Sequence, residues 1–105
     1  ELSEVAIKRS IDKLLRTYND ALKAIHKVLA PSGRVVLTLP YYILPKSRSF
    51  LPILDNLRNL GYTQVEPFSP ELREKLHIKM IDRGTLYYER PRQLVGREVV
   101  ILKKK

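Results

Sequence analysis

Apolar side chains early in the chain recur at Ile11, Leu15, Tyr18, Leu22, Ile25 and Leu29. The steps alternate between four and three, the spacing that lays one continuous stripe along a helix. Leu14, Ala21 and Val28 widen the stripe, while Lys13, Arg16, Asp20, Lys23 and Lys27 fall on the other side. Ser3 is placed to cap the helix, with Glu4 favourable in its first turn. The pattern therefore predicts helix over 3–30, with Ser10 and Asn19-Asp20 as the two places where it would break or loosen. The stripe is too short for a coiled coil.

The period then changes. Pro31 has no N–H to continue the helix, and Gly33 is expected to supply the left-handed geometry of the reversal. Val35-Val36-Leu37-Thr38-Leu39 is a continuous β-prone apolar run, the pattern of a strand covered on both faces. Pro40 is expected to stop it, because proline cannot donate to a central ladder. A helix leading within a few residues into such a strand is an α/β unit.

Tyr41 to Ser49 reads as a loop or lid. Phe50 to Leu60 reads as a short helix, with leucines at 51, 54, 57 and 60, Pro52 in its first turn and Gly61 as its stop. Tyr62 to Glu66 is a second strand. Pro67 to Pro70 breaks the chain, and Ser69 or Pro70 opens a short helix through Leu76. Residues 77–102 read as a pair of strands. Ile78-Lys79-Met80-Ile81 is ambiguous, Asp82-Arg83-Gly84 is turn chemistry, Thr85 to Glu89 is β-prone, and Arg90-Pro91-Arg92-Gln93 is irregular. Val95 to Leu102 forms the closing strand, and Lys103-Lys104-Lys105 is expected to fray into solvent.

The 105 residues are enough for one domain with one core, and no repeat or linker divides them. No apolar run approaches the ~20 residues that cross a membrane. The chain opens on Glu1, with no signal-peptide pattern, and so has the look of a trimmed or excised segment. Without cysteine there is neither a disulfide framework nor a thiolate metal site, which accords with a cytoplasmic location. Twenty Lys and Arg against eleven Asp and Glu give a formal charge of +9. That surplus attracts polyanions, nucleic acid first among them, although basic charge also serves solubility alone.

Catalytic parts are missing. There is no G-x-G-x-x-G and no phosphate-loop motif. There is no G-x-S-x-G elbow, which leaves Ser47 and Ser49 as loop serines. His26 and His77 are the only histidines and have no acidic partner motif, so a zinc site is not indicated. Glu71 and Glu74 share a helix face, where a carboxylate pair is ordinarily solvated.

Residues 18–22 and 29–36, from Tyr18-Asn19-Asp20-Ala21-Leu22 to Leu29-Ala30-Pro31-Ser32-Gly33-Arg34-Val35-Val36, resemble the helix-turn-strand unit of class I S-adenosylmethionine-dependent methyltransferases. The stretch Tyr87-Tyr88-Glu89-Arg90-Pro91-Arg92-Gln93-Leu94-Val95-Gly96-Arg97-Glu98-Val99-Val100 is similar to the closing segment of RNA methylases related to the tRNA guanine-N2 methyltransferases that often carry a THUMP domain. The resemblance covers about residues 11–102. It implies an α/β fold: a partial Rossmann-like methyltransferase sheet of three to four strands, mixed in direction. The fifth, sixth and seventh strands would be present, the last antiparallel, with helices packed against them. It also implies S-adenosylmethionine as cofactor of the parent enzyme, and RNA, specifically tRNA, as partner.

The same resemblance identifies what is missing. The glycine-rich cofactor loop, the acidic residue after the second strand and the Asp/Asn-Pro-Pro-Tyr/Phe tetrapeptide would all precede Glu1. Thr38-Leu39-Pro40-Tyr41 is not that tetrapeptide: it lacks the leading Asp or Asn and the first proline, and it follows the fifth strand. No catalytic or cofactor residue carries over, and this chain alone is expected neither to bind the cofactor nor to catalyse. With its fourth-strand neighbour absent, Val35 to Leu39 would present an open edge, inviting docking of the missing N-terminal half or self-association.

Loops at the carboxyl ends of the strands border the active site in such folds. Pro40, Tyr41 and Tyr42 then lie on the substrate side, with a tyrosine stacking on a base and Lys46 and Arg48 on phosphates; alternatively one tyrosine packs in the core. Tyr87, Tyr88, Arg90, Arg92, Gln93 and Arg97 form a second aromatic and basic cluster. It either binds RNA or is fixed by pairing of Arg90 or Arg97 with Glu89 or Glu98. The expected function is that of the C-terminal half of an RNA methyltransferase. The alternative is a stand-alone basic RNA-binding or oligomerising module without catalysis.

Overall fold

The computed structural model describes residues 3–66, 68–76, 80–81 and 83–105. The readings made for Pro67, His77, Ile78, Lys79 and Asp82 lie outside the described residues. Helix α1 (Glu4–Val28) opens on Ser3, whose Oγ accepts from the Ala6 N–H at 3.1 Å, and closes with the Leu29 N–H donating to the Ile25 carbonyl. It runs unbroken past Ser10 and Asn19-Asp20. Its buried stripe starts earlier than the sequence suggested, at Ile7, and is narrower: Leu22 is fully buried, while Ala21 and Val28 face solvent.

The turn after α1 is type II. The Gly33 N–H donates to the Ala30 carbonyl at 2.8 Å, Pro31 holds the first corner and Ser32 the second, at φ 61°. The left-handed residue is thus Ser32, not Gly33. Gly33 answers a different need: a Cβ there would lie 2.7 Å from Leu29 Cγ and 2.8 Å from the Ala30 carbonyl oxygen.

Strand β1 (Arg34–Ile43) passes straight through Pro40. Its register against β6 (Val95–Lys104) explains why. The Lys104 N–H donates to Gly33 O and the Ile43 N–H to Leu94 O, so odd positions of β1 bond to β6 and even positions turn their backbone groups outward. Pro40 is an even position, where the missing N–H breaks no bond to β6. The expected loop 41–49 is accordingly the end of β1 plus a short return, β2 (Arg48–Ser49), paired at Tyr42–Ser49 and Ile43–Arg48.

A 3₁₀ segment (Pro52–Asn56) runs into the one-turn helix α2 (Leu57–Leu60), which Gly61 ends at φ 86°. Then come β3 (Tyr62–Val65), α3 (Pro70–Leu76), β4 (Met80–Ile81), β5 (Thr85–Tyr88) and β6. Of the two openings the sequence offered for α3, Pro70 is the first helical residue and Ser69 caps it, its Oγ accepting from the Leu72 N–H. Among the described residues, the final part of the chain holds three strands rather than two.

All described strand pairs are antiparallel, and the sheet has six strands where three to four, mixed in direction, were expected. β6 is the axis. One side pairs with β1 over almost its whole length, and the other pairs with β5 near its start and β3 near its end. β1 and β3 therefore run in the same direction without touching, because β6 lies between them.

Helix α1, the 3₁₀ segment and α2 pack on one face. Leu22 of α1, Ile53, Leu57 and Leu60 pack on Leu39, Tyr62, Val100 and Leu102. Tyr62 Oη donates to the Leu22 carbonyl at 2.7 Å, and the His26 ring meets the Tyr62 ring edge-on at 5.3 Å. A buried polar knot sits on the same side. Thr85 Oγ1 donates to Glu98 Oε2 at 2.6 Å, and Arg83 Nε lies 2.9 Å from that oxygen, close enough to pair though poorly aligned to bond. Arg83 Nη2 meanwhile donates to the Leu51 carbonyl. The double coverage expected for β1 is overturned: its burial alternates, and Val36 is 64% exposed. The terminal lysines do not fray. Lys104 Nζ donates to the carbonyls of His26 and Leu29, both at 2.8 Å, and the Lys105 N–H donates to Gly61 O. The described residues contain no helix long and apolar enough to cross a membrane.

Candidate nucleic-acid interface

Strand alternation sorts the candidate residues onto two faces. Opposite residues share a face, so Pro40, Arg97 and Tyr88 stand side by side across three strands, and Tyr42 stands opposite Val95. These lie on the uncovered face. Tyr41, one step away, points into the helix-covered side with Tyr87. The four-residue β1–β2 connection leaves Lys46 exposed.

Tyr41 is 1% exposed. Its ring packs on Phe50 at 4.7 Å between centroids and lies against Gly96, its cross-strand neighbour. Its hydroxyl donates to Glu89 Oε1 at 2.8 Å. Burial, then the bond to the Glu89 carboxylate, push the Tyr41 phenol well above its ordinary pKa. Arg48 grips the same carboxylate with two bonds, Nε to Oε1 at 3.1 Å and Nη2 to Oε2 at 3.0 Å. The Arg48 and Tyr41 hydrogen bonds hold Glu89 below the usual carboxylate range. In this arrangement Tyr41 offers no ring to a base, and Arg48 spends its fork on Glu89 rather than on a phosphate. Glu89 pairs with neither Arg90 nor Arg97, and Glu98 takes Arg83.

The cluster around the β5–β6 connection is free. Arg90-Pro91-Arg92-Gln93 is a second turn of the kind seen at 30–33, with the Gln93 N–H on Arg90 O and Arg92 at φ 69°. It leaves Arg92 exposed at its tip. Tyr88 is 56% exposed. Arg90 folds back over it, guanidinium 5.9 Å from the ring centre, Nε donating to the hydroxyl at 3.0 Å. That bond raises the Arg90 pKa above its already high ordinary value. Tyr88, Arg90, Gln93, Leu94, Val95 and Arg97 line an open hollow of about 500 Å³.

The hollow opens onto the uncovered sheet face. The described strand positions there are Arg34, Val36, Thr38, Pro40 and Tyr42 on β1, Val95, Arg97, Val99, Ile101 and Lys103 on β6, and short runs of β3, β4 and β5. None of these described positions is acidic. Glu89 borders the far side of Tyr88, but both its oxygens are engaged. Sequence reasoning missed Leu94 and Val95 as lining residues. Their exposure, 52% and 37%, depends on the turn before β6 and carries no sequence signal. Among the described residues no three His, Asp or Glu side chains are grouped to hold a metal ion. Comparison of the chain with protein-family models, curated proteins and solved structures finds no match.

Proposed function

We propose that this chain is the C-terminal half of an S-adenosylmethionine-dependent RNA methyltransferase domain acting on tRNA, with guanine N2 as the modified position. The observation that supports the reading most is the placement of β6. A helix and Pro-Ser-Gly turn lead into β1, the chain crosses over through α2 to β3 in the same direction, and the later β6 inserts between them antiparallel to both. In the sheet the resemblance implies, the seventh strand would pair with the fifth in this way, antiparallel to it. The outer edge of β1 would then take the adjoining strand of the complete sheet. Pro40, Tyr42 and the hollow lie at the carboxyl end of β1, where α/β sheets place ligands.

The residues present do not fit the cofactor. Its cradle needs a glycine-rich turn leading from a strand into a helix. Here β1 leads on through 44–47 and β3 through 66–69, and neither stretch contains glycine. The cofactor site and the acceptor tetrapeptide belong to another segment, and this chain supplies the RNA-facing flank. The test is transfer of labelled methyl from S-adenosylmethionine to tRNA by the full product of the gene that encodes this chain. Transfer to guanine N2 is the expected result. A product that lacks the glycine-rich loop and the Asn/Asp-Pro-Pro-aromatic element, or that transfers nothing, overturns the reading. The lack of acidic side chains at the described strand positions of the uncovered face favours a second reading, a basic RNA-binding module without catalysis. RNA binding without transfer would establish it.

A further inference from the structure

We infer that the hollow between the β5–β6 turn and the uncovered sheet face is a binding site for an unpaired RNA segment, with a base stacked at Tyr88 and its phosphates on Arg97 and Arg90. The inference rests on the reading that the chain acts on RNA, and it specifies single-stranded RNA as the form bound there.

The argument starts from what each side chain has left to offer. Tyr88 is the one tyrosine of the candidate cluster that is mostly exposed. Arg90 already lies over its ring, so a base entering the hollow meets a preformed surface of phenol and guanidinium. Arg97 stands beside Tyr88 across the strand pair, roughly 5 Å away by sheet geometry, and makes no ion pair with Glu89 or Glu98. Gln93 brings an amide that both donates and accepts, as a base edge requires. Leu94 and Val95 give the hollow an apolar floor.

A duplex fits this lining poorly. Its base faces are buried in its own stack, so the exposed ring and the apolar floor would gain nothing from it. An acidic protein surface would use the arginines but leave the tyrosine face unmatched. An unpaired nucleotide uses all three kinds of group. The volume of about 500 Å³ lies within the ~300–1,000 Å³ of small-ligand sites, room for one nucleotide with its neighbours running onto the open face. The described strand positions of that face carry no acidic side chain, and with Arg34 and Lys103 at its far end the favourable field continues along the strand.

The experiment is fluorescence anisotropy of a labelled single-stranded RNA dodecamer, and of its duplex, titrated with the 105-residue chain across a series of KCl concentrations. The single strand is expected to bind more tightly. Tyr88→Ala should weaken it about five- to a hundredfold, and Tyr88→Phe, which keeps the stacking face, should stay within about threefold of the parent. Arg97→Gln should reduce the slope of log affinity against log salt by about 0.7. Lys13→Gln with Arg16→Gln, on the exposed side of α1, should change affinity no more than their charge does at any site. Preference for the duplex, indifference to Tyr88→Ala, or equal losses from the α1 pair would overturn the site. Circular dichroism of each variant separates lost binding from lost folding. If the full product methylates tRNA but ignores Tyr88→Ala and Arg97→Gln, this inference fails and the methyltransferase reading stands. If the hollow binds RNA and no methyl is transferred, the outcome is reversed.

Discussion

Gly96→Ala gives the sharpest test of how the two faces of the sheet are kept apart. Replacing glycine by alanine within a strand ordinarily stabilises by about 0.5–1 kcal/mol, because the unfolded chain loses freedom. Here the sign should reverse. A Cβ at 96 would lie 2.3 Å from Tyr41 Cζ, 2.5 Å from its hydroxyl oxygen and 2.7 Å from Cε1. Carbon atoms sit comfortably at about 3.5–4.0 Å, so the ring must retreat by more than ~1 Å. Phe50 blocks one way out, and the bond to Glu89 resists the other. Overpacking costs about 1–3 kcal/mol and a lost bond to a charged group about 1.5–3 kcal/mol; less the strand gain, the net is a loss of about 1.5–5.5 kcal/mol. Urea unfolding followed at 222 nm measures it. In a Tyr41→Val background the obstruction is gone, and Gly96→Ala should become neutral or mildly stabilising. An equal penalty in both backgrounds, or none in the parent, would refute the steric argument.

Three further outcomes are expected. Glu89 is held below its ordinary pKa when folded, so its contribution is complete above the unfolded value of about 4.3 and is lost as pH falls through the folded value; Glu89→Gln should flatten that acid limb in urea midpoints measured from pH 7 down to 3. Lys104→Met removes two bonds from an ammonium to the end of α1 and should cost about 1–3 kcal/mol, while Lys103→Met should cost under ~0.5 kcal/mol in the same assay. Pro40→Thr adds an outward N–H to the outer edge of β1, where the nearby Thr38 carbonyl already accepts from Tyr18 Oη at 3.1 Å, and should promote concentration-dependent association in sedimentation velocity; a profile identical to the parent's would refute proline as the guard of that edge.

Local signals carried the parts of the fold that local physics decides. The four-three spacing from Ile11 to Leu29, the Ser3 and Ser69 caps and the Gly61 stop each depend on a few neighbours, and each appears in place. What the sequence hid depends on partners far along the chain. Whether Pro40 ends a strand turns on which edge its nitrogen faces, and that is set by β6, not by residues 35–39. Whether Tyr41 or Tyr42 is exposed is a matter of one residue in register, which sends adjacent tyrosines to opposite sides. The lysines at 103 and 104 read as solvated charge, and only the carbonyls left open at the end of α1, some 75 residues earlier, give Lys104 its role. At the candidate site, the sequence named Tyr88, Arg90, Gln93 and Arg97 together with Tyr41 and Arg48. It could not show that Glu89 withdraws the last two.

The central position of β6 also sets when this protein can fold. Synthesis delivers the chain from its amino end, at about 5–20 residues per second. α1, β1, β3 and β5 are all made before the strand that joins them, and only the small β1–β2 and β4–β5 returns pair without it. Until β6 leaves the ribosome, the nascent chain carries Val35-Val36-Leu37 as an apolar strand with both edges bare, a state in which chains associate with one another or with chaperones. Sheet assembly therefore waits for β6. A stop codon or frameshift at the start of β6 removes not one strand but the pairing of three.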